Sequence, residues 1–143
     1  MNANANAIES FGLDTVSLME FIDMFGISPE MVPDGRNFND VVKFMKSNGF
    51  REERGSLSNC KYFVKSHGDM YFLLRIQQHR IGGKSCAFIY EYTYEMTVRI
   101  MGTPMSFNEK DKNLRNALCN AFAKAQNWSV ENGNSGNGIE QTA

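Results

Sequence analysis

The stretch that decides the fold is Ser85-Cys-Ala-Phe-Ile-Tyr-Glu-Tyr-Thr-Tyr-Glu-Met-Thr-Val-Arg-Ile100, in which apolar and polar side chains alternate over sixteen residues. An alternation of period two is typical of a β-strand with one buried and one exposed face. Because sixteen residues exceed the usual length of a strand, we expect a bulge or a bend within it. The stretch therefore predicts a sheet whose even-numbered residues form the core.

Two further alternating segments precede this run and predict an antiparallel meander. They are Lys61–Ser66 and Met70–Arg80, with a turn at His67-Gly68-Asp69 between them and a turn at Gly82-Gly83-Lys84 after them. Short alternating runs bounded by glycine-containing turns are typical of β-hairpins. Residues 50–54 add a weaker strand at the edge.

The turns also predict which side chains share a face. Hairpins centred on Gly68 and Gly83 place the even-numbered residues of all three strands on one side of the sheet. This predicted core face consists of Cys60, Tyr62, Val64, Met70, Phe72, Leu74, Ile76, Cys86, Phe88, Tyr90, Tyr92, Tyr94, Met96, Val98 and Ile100. The odd-numbered face mixes basic, aromatic and acidic side chains, and we expect it to be exposed.

Helical periodicity flanks the strands. The predicted boundaries are Asp14 or Thr15 to Phe25, a single turn at Ser28-Pro29-Glu30, and Asn39 or Asp40 to Ser47. Ser106 and Glu109 have the spacing of a capping box, which predicts a last helix from Ser106 to Asn127 or Trp128. The element order ααα–βββ–α gives an α+β fold, an antiparallel three- to four-stranded meander with helices packed on one face. Residues 9–128 are predicted to form a single domain between disordered tails, 1–8 and 129–143, which are poor in apolar residues.

The net charge, the apolar runs and the cysteine spacing limit the classes of partner and the cellular location that we expect. The chain has 143 residues and a net charge of −1, which argues against coating nucleic acid or an anionic membrane through bulk charge. Residues 1–50 carry seven acidic and three basic side chains, whereas residues 51–100 carry eight basic and five acidic ones. No run is long and apolar enough for a membrane span, and the start does not resemble a signal peptide. The three cysteines have no CxxC spacing, so we expect free thiols and a cytoplasmic location.

The spacing Cys60-x6-His67-x11-His79-x6-Cys86 offers the four side chains that a structural zinc site needs, but their predicted positions do not suit one. The two histidines lie near opposite ends of one predicted strand, and His79 points away from the cysteines. The same argument separates Cys86 from His79 as a nucleophile–base pair. We therefore expect no metal, no cofactor and no enzymatic activity.

The odd-numbered face carries the candidate binding residues, which are Lys61, Phe63, Lys65, Tyr71, Arg75 and Arg99. Basic side chains next to aromatic ones suit single-stranded nucleic acid, because basic groups bind phosphates and aromatic rings stack on bases. However, Glu91 is expected opposite Arg75, and Glu95 opposite Tyr71, where carboxylates repel phosphate. A protein partner is therefore the first interpretation, with nucleic acid as the alternative, and the exposed sheet edges also suit a homodimer.

A helix that ends in Lys46-Ser47-Asn48-Gly49-Phe50, a three-stranded meander and a helix with Ala117-Leu118-Cys119-Asn120-Ala121 resemble the small phage "ABA sandwich" proteins over residues 38–128. The resemblance implies an accessory protein of a phage or mobile element. Double-stranded-RNA-binding domains share the αβββα order. Their GxG-KKxAK signature is replaced here by Glu109-Lys110-Asp111-Lys112.

Overall fold

The computed structural model describes residues 13–55, 57, 59–85 and 87–133. In chain order the elements are helix α1 (Thr15–Phe25), a 3₁₀ turn (Pro29–Met31), helix α2 (Phe38–Ser47), strands β1 (Arg51–Glu53), β2 (Cys60–His67), β3 (Met70–Lys84), β4 (Ala87–Ile100) and β5 (Ser106–Asp111), helix α3 (Leu114–Trp128) and a π-helical turn (Ser129–Gly133). The strands form one antiparallel sheet in the order β1-β2-β3-β4-β5. The predicted α+β class and antiparallel sheet are confirmed, but the sheet has five strands and one predicted helix is the 3₁₀ turn.

Some sequence predictions lie outside the described residues. Residues 1–8 and 134–143 of the two predicted tails and Cys86 of the predicted core face are in this group. Within the described part of the C-terminal tail, Ser129–Gly133 form the π-helical turn that follows α3.

The helices begin where short polar side chains replace missing backbone partners. The Oδ1 atom of Asp14 accepts the N–H of Ser17 at 2.8 Å at the start of α1. Asn37 caps α2 in the same way, so the helix begins at Phe38, one residue before the earliest predicted start at Asn39. Gly26 ends α1 with a φ of +72°, a conformation that glycine adopts without a steric penalty.

The core lies between the helices and one face of the sheet. The predicted even-numbered pattern is confirmed in β3 from Met70 to Ile76 and in β4 from Tyr94 to Ile100, where every even residue is buried. Phe21 and Phe122 meet edge to face at 5.3 Å between α1 and α3, which joins the helices above this face. These aromatic contacts bury one side of α1 and one side of α3, whereas Val16, Met19 and Ile22 of α1 are exposed.

Strand β2 corrects the predicted faces. The turn between β2 and β3 contains two residues, Gly68 and Asp69, so that His67 pairs with Met70 and Lys61 pairs with Ile76. A turn one residue shorter than the predicted one moves the register by one residue and exchanges the faces of the strand. The odd-numbered residues of β2 therefore lie on the helix-covered face, and the prediction that Cys60, Tyr62 and Val64 belong to it is wrong. Val64 is buried as predicted, but on the opposite side of the sheet.

The segment Ser106–Asp111 corrects the predicted last helix. It is a strand that pairs with β4 from Arg99 to Tyr94, and α3 begins at Leu114. Phe107 packs against the core from this strand. Pairing with the otherwise open edge of β4 therefore outweighs the local capping box.

The β3–β4 hairpin extends beyond the rest of the sheet. The last ladder pairs with the neighbouring strands are Gln77 with Cys60 and Tyr94 with Asp111, so farther out β3 and β4 form ladders only with each other. We call residues 79–91 the arm. A register shift lies between Arg80 and Gly82, which places the expected bulge in β3 and not in β4.

The large apolar side chains described in the arm are exposed, although the sequence predicts Phe88 and Tyr90 in the core. Both are exposed in the structure, as are Ile81 and Ile89. The prediction is wrong here because no described helix continues above this end of the sheet. At the tip, Gly83 has a φ of +93° and a Cβ atom there would lie 2.1 Å from the Ala87 carbonyl oxygen, so the turn requires glycine.

Candidate functional site

The six predicted binding residues do not form one surface. Because of the register of β2, Lys61, Phe63 and Lys65 lie on the helix-covered side of the sheet. The other three lie on the opposite side, which we call the open face. They are Tyr71, Arg75 and Arg99.

Phe63 is a core residue. Its side chain is fully buried and lies opposite Leu74 in the sheet. A base or a partner side chain therefore has no access to its ring.

Lys65 connects the ends of two helices. Its Nζ atom donates to the carbonyl oxygen of Met24 at 3.1 Å and to that of Asn48 at 2.6 Å. The ammonium also lies 5.2 and 5.7 Å from the ring centroids of Phe25 and Phe50. Burial lowers the pKa of this lysine. A cation at two helix C-termini satisfies carbonyls that lack partners and opposes both helix dipoles, so the role of Lys65 is structural.

Lys61 is partly exposed and forms an ion pair. Its Nζ atom lies 3.0 Å from Oε2 of Glu52 on β1. The hydrogen bond from Lys61 lowers the pKa of that carboxyl group. The charge of Lys61 is thus matched within the chain.

On the open face, Arg75 is paired with an acid other than the predicted one. It lies opposite Glu95, 2.7 Å from Oε1 of that side chain. Asn108 of β5 donates to Glu95 at 3.0 Å and to Thr97 at 2.8 Å. Glu91, which was expected opposite Arg75, lies opposite His79. The centre of the open face is therefore a polar network within the chain, in which the buried Nε atom of Arg75 has no hydrogen-bond partner.

Of the six predicted binding residues, Tyr71 and Arg99 remain neighbours on the open face, outside the network around Arg75. They lie directly opposite each other in β3 and β4, where Glu95 was expected to face Tyr71. Arg99 is exposed and Tyr71 is half-buried. One cation beside one aromatic ring is a small part of the predicted platform.

The cysteine and histidine pattern is dispersed over the structure. His79 lies 2.9 Å from Oγ1 of Thr93, whereas His67 lies beside Asp23 of α1 at 3.9 Å. Cys60 has a free thiol at the edge of β2. Among the described residues, no group of three or more His, Cys, Asp or Glu side chains is arranged to hold a metal ion.

The arm carries the exposed apolar side chains that sequence reasoning assigned to the core or left unassigned. Ile81 and Ile89 are 56% and 55% exposed. The ring of Phe88 packs edge-on against Tyr90 at 6.4 Å, and the Arg80 guanidinium lies 4.0 Å above the Phe88 ring. The excess length of the run Ser85–Ile100 over an ordinary strand is the signal that pointed to this projection.

A cavity of about 160 Å³ lies at the junction of the arm with the helices. Phe38 of α2 stacks on Tyr92 at 4.9 Å beside it, and Gln78 donates to the Tyr92 hydroxyl at 3.2 Å. Small-molecule sites usually have about 300 to 1,000 Å³. This cavity is smaller than such sites, and the stacked pair marks the end of the helical layer.

No protein family model, no curated protein and no solved structure matches this chain. In the described part of the chain, no helix has the length and apolar character needed to cross a membrane.

Proposed function

We propose that this protein acts by binding another protein and that the arm is its contact surface. The observation that carries the proposal is the exposure of Ile81, Phe88, Ile89 and Tyr90 on a ribbon that no described helix covers. In this proposal the chain is a non-enzymatic accessory protein of a phage or mobile element and works in the cytoplasm.

The physical argument begins with the stability of the arm. A two-stranded ribbon in water is marginally stable at best, because it buries little apolar surface. Clustered exposed apolar side chains mark interaction sites when polar groups surround them. Here Arg80 and Lys84 supply the polar surroundings. A partner that covers the arm stabilises it and removes this apolar surface from water.

The composition of the arm also suits a protein interface. Tyrosine, phenylalanine and arginine are enriched in the parts of interfaces that contribute most to affinity. The cation–π contact of Arg80 with Phe88 and the edge-on contact of Phe88 with Tyr90 hold these side chains in position. Side chains that are ordered before binding lose less entropy when the complex forms.

The nucleic-acid alternative has less support in the geometry. Phe63 is buried in the core, Lys65 donates to a helix carbonyl, and Arg75 is paired with Glu95. Tyr71 and Arg99 are left as neighbours for a strand of nucleic acid.

The test is an affinity purification of the tagged full-length chain from its native host, followed by quantitative mass spectrometry. The arm variant Ile81→Ser/Ile89→Ser removes two exposed apolar side chains without emptying the core. The matched control is Met31→Ser/Leu57→Ser, because both residues are exposed and lie outside the arm. We expect at least a tenfold loss of the captured protein for the arm variant and no loss for the control.

Equal capture by the arm variant and the wild-type chain contradicts the proposal. Oligonucleotide binding that is lost in Tyr71→Ala/Arg99→Ala and kept in the arm variant supports the nucleic-acid alternative instead.

A further inference from the structure

Helix α1 presents a second exposed apolar surface, at the other end of the molecule. Val16, Met19 and Ile22 are exposed along one side of the helix, at the spacing that aligns side chains on one helical face. Glu20 and Asp23 lie on the same exposed side. We call these five residues the helix face, which is apolar and acidic.

A shallow hollow lies beside the helix face. It has a volume of about 300 Å³ and lies between α1 and the turn at Gly68 and Asp69. The buried residues Met24 and Met70 contribute to its lining, together with the carboxylates of Glu20 and Asp69. His67 also lines the hollow and lies 3.9 Å from Asp23. The helix face and the hollow together offer apolar contact beside the carboxylates of Glu20 and Asp69.

The arm has the complementary character. Ile81 and Ile89 are its most exposed apolar side chains, and Lys84 lies on the same side of the ribbon as Ile89. Arg80 lies over Phe88 on the other side, and the acidic Glu91 at the start of the arm is paired with Lys112, so the outer part of the arm is positively charged. Complementary charges around apolar patches favour encounter in one orientation and disfavour the contact of like surfaces. Two arms repel each other, as do two helix faces, whereas an arm and a helix face attract each other.

The two surfaces cannot meet within one molecule. The hollow lies at the Met70 end of β3, and Lys84 lies at the other end of the same strand. Fourteen residue steps at about 3.3 Å each separate these ends by about 45 Å. A contact between arm and helix face therefore requires two copies of the chain.

On this basis we infer that the chain self-associates head to tail, with the arm of one copy docked on the helix face and hollow of the next. The inference rests on the proposed function, since it names a second copy as the protein that the arm binds. Lys84 of one copy meets Glu20 and Asp69 of the other, while Ile81 and Ile89 cover Met19 and its apolar neighbours.

Contacts between unlike surfaces have a distinctive consequence. After a pair has formed, one copy keeps a free helix face and the other keeps a free arm, so assembly continues until a ring closes or a chain grows. The charged part of the contact is screened by salt, because the pairs lie at the edge of an exposed surface. Association is therefore expected to weaken as salt is raised.

Sedimentation velocity of the full-length chain from low to high micromolar concentration tests the inference. We expect the mass to rise from the 16.2 kDa of one copy to two copies or more. The arm variant Ile81→Ser/Ile89→Ser and the helix-face variant Val16→Ser/Met19→Ser should each stay at the mass of one copy. The control Met31→Ser, which removes a side chain as exposed as that of Met19, at 64% each, should associate like the wild-type chain.

Mixing the two deficient variants distinguishes unlike surfaces from like ones. The helix-face variant keeps its arm and the arm variant keeps its helix face, so the mixture should form pairs and nothing larger. A mixture that stays at the mass of one copy overturns the head-to-tail contact. Association that persists in the helix-face variant also overturns it, because it shows that the arm contacts some other surface.

Cross-linking identifies what lies against the arm. A carbodiimide applied to an equal mixture of isotopically light and heavy chains should join Lys84 of one chain to Glu20 or Asp69 of another. Links of Lys84 to acids of its own chain only would show that another segment covers the arm, which overturns the inference. A wild-type chain that stays at 16.2 kDa overturns it as well, whereas arm-dependent capture of a different protein would then still support the proposed function.

Discussion

Strands β3 and β4 run through two different environments. In what we call the base, residues 70–76 pair with residues 94–100 beneath the helices, and every even-numbered side chain is buried. In the arm the alternation continues, yet Phe88 and Tyr90 are exposed on the same face. Alternation therefore determines which side chains share a face, whereas the elements packed above the sheet determine whether that face is a core or a surface.

The largest difference in unfolding free energy is expected between substitutions of two phenylalanines, one in the base and one in the arm. Phe72 is fully buried and meets Phe25 and Phe50 edge to face, whereas Phe88 is exposed. Phe72→Ala should lower the free energy of unfolding by about 3–5 kcal/mol, the usual cost of removing a core phenylalanine. Phe88→Ala should lower it by less than about 1 kcal/mol, as is usual for a surface position.

Urea denaturation followed by circular dichroism measures both variants. A loss for Phe88→Ala as large as that for Phe72→Ala would show that the arm belongs to the folding core.

The second prediction compares the buried thiol of Cys119 in α3, which covers the base, with the half-buried thiol of Cys60 at the start of β2. Burial raises the pKa of the Cys119 thiol from 9.0 to about 12. Because the unfolded thiol ionises first, the stability that the neutral thiol contributes is fully present below pH 9 and is lost between pH 9 and 12. The slope should be up to about 1.4 kcal/mol per pH unit.

Thermal or urea unfolding of Cys119→Ala across this range should show a shallower loss than the wild-type chain. Cys60→Ala, which removes the half-buried thiol at the edge of β2, should keep the wild-type slope. Parallel curves for all three proteins would refute the burial of Cys119.

The smallest difference in unfolding free energy is expected between substitutions of two lysines on the same face of β2. Lys65→Met leaves the carbonyl oxygens of Met24 and Asn48 without their donor and should cost about 1–3 kcal/mol. Lys61→Met removes an ion pair that is partly exposed and should cost no more than about 1 kcal/mol. Urea titration of both variants checks the order, and an equal cost would mean that Lys65 does not hold the two helices.

The sequence predicts the faces of β3 and β4 because apolar and polar residues alternate there without interruption. The same reasoning fails in β2, whose face depends on whether two or three residues form the turn around Gly68. Gly68 takes a φ of +61° in the turn of two residues, and a change of one residue reverses the strand. Half of the predicted binding site, Lys61, Phe63 and Lys65, depended on that single residue.

Long-range pairing explains the other difference. Ser106 and Glu109 satisfy the local pattern of a helix start, but the edge of β4 offers six residues a partner strand. Asn113 caps α3 by accepting the N–H of Asn116 at 3.1 Å, without the reciprocal acid that makes a capping box recognisable. Local spacing cannot weigh a helix cap against a strand partner that lies elsewhere in the fold.

Amide hydrogen exchange at two protein concentrations tests most directly the claim that the arm is a surface prepared for a partner. In dilute solution we expect slow exchange in residues 70–76 and 94–100 and fast exchange in the arm, because local stability follows buried contacts. At high concentration the arm amides should become protected while those of the base stay unchanged. Arm amides that are as protected as those of the base in dilute solution would contradict the account.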